Sequence, residues 1–410
     1  MSNRIIVIGG GAAGMMAALS AKEHGGEVLI LERNDRVGKK LLATGNGRCN
    51  YTNINLNINN YHGNNPKFCY SGLSEFNVDS TIEFFERLGI TPAIEDNGKV
   101  FPLSFQASSI LDVLRYEIED KGIELITDAQ VAEIKKKNGF TVILKDKSVF
   151  VGDKVIIATG GMALPSSGSD GNGYTICKKL GHTITDVFPG LVQLKLESSL
   201  LKSIDGVKFP GMAGIYIDNK LILEDKGDIL FTSYGISGPP ILQLSRTALE
   251  YLNKEENVEL RVSIIYTKTD EELLSYLVNR FKLMPRKTIE AGLIGLINKR
   301  LIIPILKETN IDKNKEISSL SKEEIRKLAN ILTSWRFNVT GSQSFGNAQV
   351  TAGGVNTDEI DNQTMESKIV KGIYIVGELL DIDGDCGGFN LQWAWSSGYI
   401  AGLNASKNQK

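Results

Sequence analysis

The stretch Ile5-Ile6-Val7-Ile8-Gly9-Gly10-Gly11-Ala12-Ala13-Gly14 carries a short apolar strand straight into G-x-G-x-x-G. A second apolar run, Val28-Leu29-Ile30-Leu31, ends in Glu32, eighteen residues beyond Gly14. Strand, glycine turn, apolar helix (Met15–Ala21) and spaced acid form the βαβ dinucleotide fingerprint. In that pattern Gly9 permits the tight turn, Gly11 lets backbone approach a pyrophosphate, and Gly14 lets helix and strand pack closely. The pyrophosphate then meets unpaired amides at the positive end of a helix dipole. Glu32 is placed to accept hydrogen bonds from ribose hydroxyls and to repel a 2′-phosphate. The uncharged run from Ile5 to Ala21 behind Arg4, with Ala18-Leu19-Ser20, also has features of a secretory leader. The glycines inside its apolar part and the second strand in matching register argue against a leader, and against a membrane span.

Composition bounds the rest. A chain of 410 residues, 42% hydrophobic, can bury a core large enough for two or three domains. With 46 basic and 48 acidic residues the net charge is −2, so no overall field favours nucleic acid or an anionic membrane. Cys49, Cys69, Cys177 and Cys386 have neither C-x-x-C spacing nor the density of a disulfide scaffold. That pattern points away from structural zinc and fits a reduced, cytoplasmic setting. His24, His62 and His182 are the three histidines, so chemistry built on a histidine base is not expected. His24 and His182, each near a glycine at a helix end, read as solvated.

Along the chain, the first 190 residues alternate short apolar strands with helical patterns, an α/β organisation. A polar loop rich in Gly and Asn runs from Arg33 to Asn65. Thr81–Leu88 and Ser108–Lys121 read as amphipathic helices, and Glu124–Thr127, Ala129–Ile134 and Phe140–Leu144 as strands of a small antiparallel insert. Lys154–Ala158 is an apolar strand leading to Thr159-Gly160-Gly161. Composition shifts near Pro189 to strand-like runs with turns, then from Asp270 to Trp335 to a helical pattern with apolar stripes. From Gly346 the α/β character returns, with strand Gly372–Val376, loop Gly377–Phe389 and a closing helix Asn390–Leu403. The expected domains are 1–189 with 346–410, a β-rich insert 190–269 with 336–345, and a helical region 270–335.

A nicotinamide dinucleotide on a Rossmann sheet needs a second mononucleotide half, which the chain after Glu32 does not offer. A flavin suits it better. Glu378 at a strand end can accept hydrogen bonds from ribityl hydroxyls, Gly387-Gly388 permits close backbone approach, and the last helix presents amides that would stabilise negative charge at the ring.

These residues also carry a resemblance. Glu32 through Asn50 (Gly45-Asn46-Gly47-Arg48-Cys49-Asn50 at its end), Gly98–Pro102, Ala158–Gly161, Phe231–Pro239, Ala348–Val355 and Gly377–Ala394 resemble the motifs of the BaiN/YhiN-like flavoproteins, bacterial FAD-dependent oxidoreductases. The resemblance covers nearly the whole length. It implies a Rossmann-like FAD-binding domain of glutathione-reductase type with an inserted β-barrel domain and a small helical domain. It further implies that Gly9, Gly11, Ala13 and Gly14 hold the FAD pyrophosphate, Glu32 with Arg33 the adenosine side, and Lys39, Lys40 and Leu41 the dinucleotide. Gly45, Asn46, Gly47, Arg48, Cys49 and Asn50 would wrap the isoalloxazine end, and Val131 would meet the adenine through its backbone. Ala158, Thr159 and Gly160 would pass the pyrophosphate, Gly377 and Glu378 the ribityl chain, and Gly388, Phe389, Asn390 and Leu391 the ring. Cys386 departs from the small residue, such as Thr, common there; with no second Cys nearby in sequence it reads as packing, with a redox or charge-transfer role beside the flavin as the alternative.

No general acid or base stands out. Arg48, Tyr61, Tyr234 and Cys386 are the candidates; Trp393 and Trp395 read as core. Members of the resembled family include reducers of dehydro-bile-acid-type enones and proteins labelled aminoacetone oxidases. The expectation is a reductase taking hydride from a transiently bound NAD(P)H and passing it to an activated double bond, small or steroid-like. An amine oxidase using oxygen and a non-enzymatic redox-sensing flavoprotein are the alternatives. Gly168–Gly173 lacks the spacing of a second nucleotide fingerprint, so no dedicated NAD(P) domain is expected. The expected partner is a small-molecule substrate bound partly by the insert, without nucleic acid or membrane; the oligomeric state is not legible.

Overall fold

A computed structural model describes residues 3–407. The chain divides into two compact units, Met1–Pro189 with Phe345–Lys410, and Gly190–Ser344. The first is built on five parallel strands, β1 (Arg4–Ile8), β2 (Glu27–Leu31), β3 (Glu124–Ile126), β4 (Lys154–Ile157) and β5 (Ile373–Ile375). Their order is β5-β4-β1-β2-β3. Strands with neighbours on both sides and layers on both faces read as continuous apolar runs, and Ile5, Ile6 and Val7 of β1 are wholly buried. The stretch that has features of a leader is therefore the central strand and its helix.

One assignment is corrected. Glu124–Ile126 is not in the antiparallel insert but is the parallel edge strand beside β2, with Leu29 opposite Glu124 and Leu31 opposite Ile126. A helix, Ala107–Asp120, precedes it, and a helical crossover delivers a strand parallel to its neighbour. The insert is instead Val131–Lys137, Gly139–Leu144 and Val149–Gly152.

Two helices define the unit. α1 (Ala12–Glu23) follows the glycine turn, and α2 (Phe389–Ser406) closes the chain. They meet backbone to backbone. A Cβ on Gly398 would collide with the Ala13 carbonyl, and one on Gly402 with the Ala17 carbonyl. α2 is buried on nearly all sides, with Trp393 and Trp395 among the largest buried side chains. Their indole N–H groups donate to the Gly377 carbonyl (3.2 Å) and the Tyr51 carbonyl (2.9 Å). Gln392 ties the polar loop down: its Oε1 accepts from Thr52 Oγ1 (2.5 Å) and its Nε2 donates to the Phe76 carbonyl and Thr81 Oγ1.

His182, expected to be solvated, is buried. Its Nδ1 bonds Glu359 Oε2 (2.9 Å) and its Nε2 bonds Ser367 Oγ (2.9 Å). Ser367 Oγ also accepts the Ile369 and Val370 amides and is wholly buried, so this Ser-His-Glu arrangement locks a turn and cannot reach a substrate. Desolvation lowers the His182 pKa, outweighing the nearby Glu359.

In the second unit, strands 194–197, 235–237, 220–232, 208–217, 259–263 and 335–342 close, in that order, into a six-stranded barrel. Its core is aromatic, with Phe231 against Phe209, Trp335 and Phe337. The helices Asp270–Lys282, Lys299–Glu308 and Lys322–Thr333 share one apolar core with the barrel through Leu277, Ile305 and Leu328. Among the described residues no helix is long and apolar enough to cross a membrane.

Two outcomes follow for stability. Gly398→Leu forces α1 and α2 apart and is expected to cost about 2–3 kcal/mol; a lowered thermal midpoint of the cofactor-stripped protein checks it. His182 binds its proton less readily folded than unfolded, so stability is full above the ordinary imidazole value of 6.5 and is lost as pH falls below it. Urea midpoints between pH 7.5 and 5.5 should fall in the native chain and fall less in His182→Gln.

Candidate active site

The glycine turn is shaped by close contacts. Gly9 has φ +103°, and a Cβ there would strike the Ala158 carbonyl; one on Gly14 would strike the Gly9 carbonyl; one on Gly11 would meet nothing. Gly11 therefore faces open space while its neighbours are packed against chain. Glu32, 6% exposed, fixes the turn from across β2. Its Oε2 accepts the Gly10 amide (2.7 Å) and its Oε1 accepts the Asn34 amide and Nδ2 (2.8 and 2.7 Å).

Around this turn lie the β4 residues. The Ala158 amide donates to the Ile8 carbonyl. Thr159 Oγ1 and Ser169 Oγ are buried without a partner, and Ser169 sits against Gly160 (φ +70°). Arg33 pairs with Asp170 (2.5 Å) and reaches the Gly168 carbonyl. Val131, expected to meet the adenine through its backbone, has its carbonyl accepting from Asn172 Nδ2 (3.1 Å).

A second cluster joins the loop to the strand after β5. Lys40 Nζ pairs with Glu378 Oε2 (2.5 Å), while Glu378 Oε1 accepts the Thr351 amide (2.9 Å). Thr351 Oγ1 in turn accepts the Met162 and Ala163 amides. Gly377 has φ +68° and its amide donates to Ser397 Oγ. Lys39 points elsewhere, to Asp35, and Leu41 is core.

A third cluster surrounds the start of α2. Gly388 (φ +99°) caps the helix, and no side chain caps its first amides; the same is true of Gly11 and α1. Asn50 Oδ1, buried without a partner, lies beside Gly388. Asn390 braces the preceding loop through the Gly384 amide and carbonyl. Phe389 is buried and Leu391 half-buried. Gly45, Asn46 and Gly47 all take positive φ in the bend before Asn50.

The candidates for chemistry separate sharply. Arg48 stacks on Phe101 (4.3 Å to the ring centre) and pairs with Glu95 (2.8 Å), so its charge is neutralised by the chain. Tyr61 is corrected: it is buried and donates its hydroxyl to the Phe389 carbonyl (3.0 Å), and desolvation raises its pKa well above the usual value. Burial pushes the Cys49 thiol up to about 12, against the lowering bond with Thr44, leaving it a packing group. Cys386 is half-exposed. Tyr234 belongs to the barrel unit. Sequence reasoning passed over His62, whose Nε2 bonds Asp385 Oδ1 at 2.7 Å. A two-residue antiparallel pairing of Tyr61–His62 with Asp383–Gly384 creates that contact, and nothing local in sequence signals it.

Buried polar atoms without partners are rare in folded proteins and mark places where a ligand completes the bonding. Such atoms occur also at Tyr51, Tyr174, Gln193 and Thr232, but Thr159 lies against the glycine turn and Asn50 beside Gly388, where two helix N-termini are left uncapped by side chains. A dinucleotide flavin fits this set: the amides of α1 and Thr159 for phosphate, Glu32 for ribose, Asn50 and the amides of α2 for the ring.

Comparison with known proteins agrees. The HI0933-like protein Rossmann domain family matches residues 3–404. The chain belongs to that family. It is a Rossmann-fold, FAD-dependent oxidoreductase. It is 37% identical over 407 residues, 99% of each chain, to a 3-dehydro-bile acid delta(4,6)-reductase of Clostridium scindens. It is 32% identical over 398 residues, 96% of each, to a ribosomal RNA dihydrouridine synthase of Escherichia coli. The fold is also that of the 3-ketosteroid delta1-dehydrogenase of Sterolibacterium denitrificans, with a TM-score of 0.52, 11% identity, and 99% and 100% of the two chains covered.

Glu32→Ala should weaken FAD retention by about 1.5–3 kcal/mol, the worth of charge-assisted bonds. Titration of stripped protein with FAD measures it; an unchanged affinity contradicts the role.

Proposed function

We propose that this protein reduces a carbon–carbon double bond conjugated to a carbonyl, in a small or steroid-like substrate, with electrons brought by a transiently bound NAD(P)H. The observation that supports this is chemical. A delta(4,6)-reductase of a 3-dehydro bile acid and a dihydrouridine synthase both saturate a double bond adjacent to a carbonyl, and both are similar to this chain along its length. The balanced charge of −2 favours the small molecule over RNA, whose phosphate backbone selects strongly basic surfaces.

FAD, when bound, supplies the hydride transfer. The chain's own residues bind and orient. Glu32, which holds the Gly10 amide in place, would anchor the ribose; Lys40 would lie along the dinucleotide and Glu378, paired with it, on the ribityl side. The uncapped amides at the start of α2 would place partial positive charge beside the ring, where negative charge develops on reduction.

The test is anaerobic. The protein is bleached separately with NADH and NADPH, then mixed with a 4-en-3-one steroid, a small enone, or rRNA lacking dihydrouridine. Recovery of the oxidised spectrum with a saturated steroid or enone product is expected. Recovery with rRNA alone would move the substrate to RNA, and bleaching by amines with peroxide release on re-aeration would replace the reading with an oxidase.

A further inference from the structure

Saturating a conjugated double bond takes a hydride at one carbon and a proton at the other. Tyr61 is spent on the Phe389 carbonyl, Arg48 on Glu95, and Cys49 is buried. A hydrogen-bonded imidazole–carboxylate pair in the same unit, His62 with Asp385, is partly exposed. His62 Nε2 bonds Asp385 Oδ1 (2.7 Å), and Asp385 Oδ2 accepts Asn60 Nδ2 (3.0 Å) while its amide donates to the Asn60 carbonyl (2.9 Å). The carboxylate is thus held from two sides. The His62 side chain is 33% exposed, against 18% for Asp385. Among the described residues, Nδ1 of His62 makes no hydrogen bond. Asp385 sits on the loop that Asn390 ties to the first turn of α2 through the Gly384 and Asp385 carbonyls, and His62 on the short strand paired with that loop. That turn is where Asn50 Oδ1 lacks a partner.

We propose that His62 is the proton donor of the reduction and that Asp385 is its positioning residue. The inference rests on the double-bond reading above. In the step, hydride adds to the carbon β to the carbonyl and the π pair moves toward the carbonyl. The α-carbon takes the proton from Nδ1–H of the imidazolium. The neutral imidazole keeps Nε2–H on Asp385 and regains its proton from solvent along the exposed edge. A carboxylate behind an imidazole fixes both tautomer and orientation, which is what the Asn60 contacts preserve here.

FAD-loaded wild type, His62→Gln, His62→Ala and Asp385→Asn are reduced with dithionite and mixed with a 4-en-3-one steroid. Reoxidation is expected to slow by about 10²-fold or more in both His62 variants. Bleaching and FAD content should be unchanged, and added imidazole should restore part of the rate in His62→Ala. Asp385→Asn should lower the rate without changing FAD content. Independently of turnover, diethyl pyrocarbonate labelling of His62, followed by peptide mass, should be suppressed by the steroid in the oxidised wild type. If the wild type itself is not reoxidised by enones, the double-bond reading fails and takes the inference with it. If the wild type reacts and His62→Gln reacts equally fast, or labelling is indifferent to steroid, only the inference fails.

Discussion

The contact between α1 and α2 is the constraint on which the site depends. Gly398 and Gly402 allow the last helix to rest directly on the carbonyls of Ala13 and Ala17. Any side chain at those positions would separate the helices by the width of a methyl or more. The two uncapped N-termini, at Gly11 and Gly388, belong to these same two helices. Their spacing is therefore set by backbone contact, the stiffest contact a protein interior offers. A cofactor reaching from one to the other meets a fixed span.

The acids and amides around this pair divide the work by range. Glu32 acts locally, bonding Gly10 and Asn34 on the chain segments that flank the first βαβ turn. Glu378 acts at long range, joining Lys40 to the segment after β5. Asp385 does the same for His62 and Asn60. Each partly buried carboxylate has a cation, an imidazole or amide donors at bonding distance, as the cost of burying charge requires. Thr159, Ser169 and Asn50 keep buried oxygens without partners beside the cradle proposed for the cofactor.

The family relationship and the geometry agree on chemistry while leaving the substrate to be decided outside the cofactor cradle. Two relatives with different named substrates share the whole chain with this protein. The glycine turns, the buried Glu32 and the uncapped helix amides form the cradle we propose for FAD, and these groups suit a nucleotide cofactor whatever the substrate.

The sequence by itself determined the nucleotide fold at both ends. G-x-G-x-x-G, the apolar β1 and β2 and the spaced Glu32 are local signals, since turn, strand and helix periodicities act within a few residues. The shift to strand-like and then helical patterns after Pro189 was local too, and the barrel and its helices lie there. What only the tertiary structure decided were matters of direction and long-range contact. Glu124–Ile126 looks the same in sequence whether parallel or antiparallel, and the helix before it settles the direction. The burial of His182, the capture of Tyr61 by the Phe389 carbonyl and the His62–Asp385 pair all join residues far apart in the chain. Their neighbours in sequence carry no trace of those partners, because such contacts exist only once the C-terminal strand and helix have returned to the first βαβ unit.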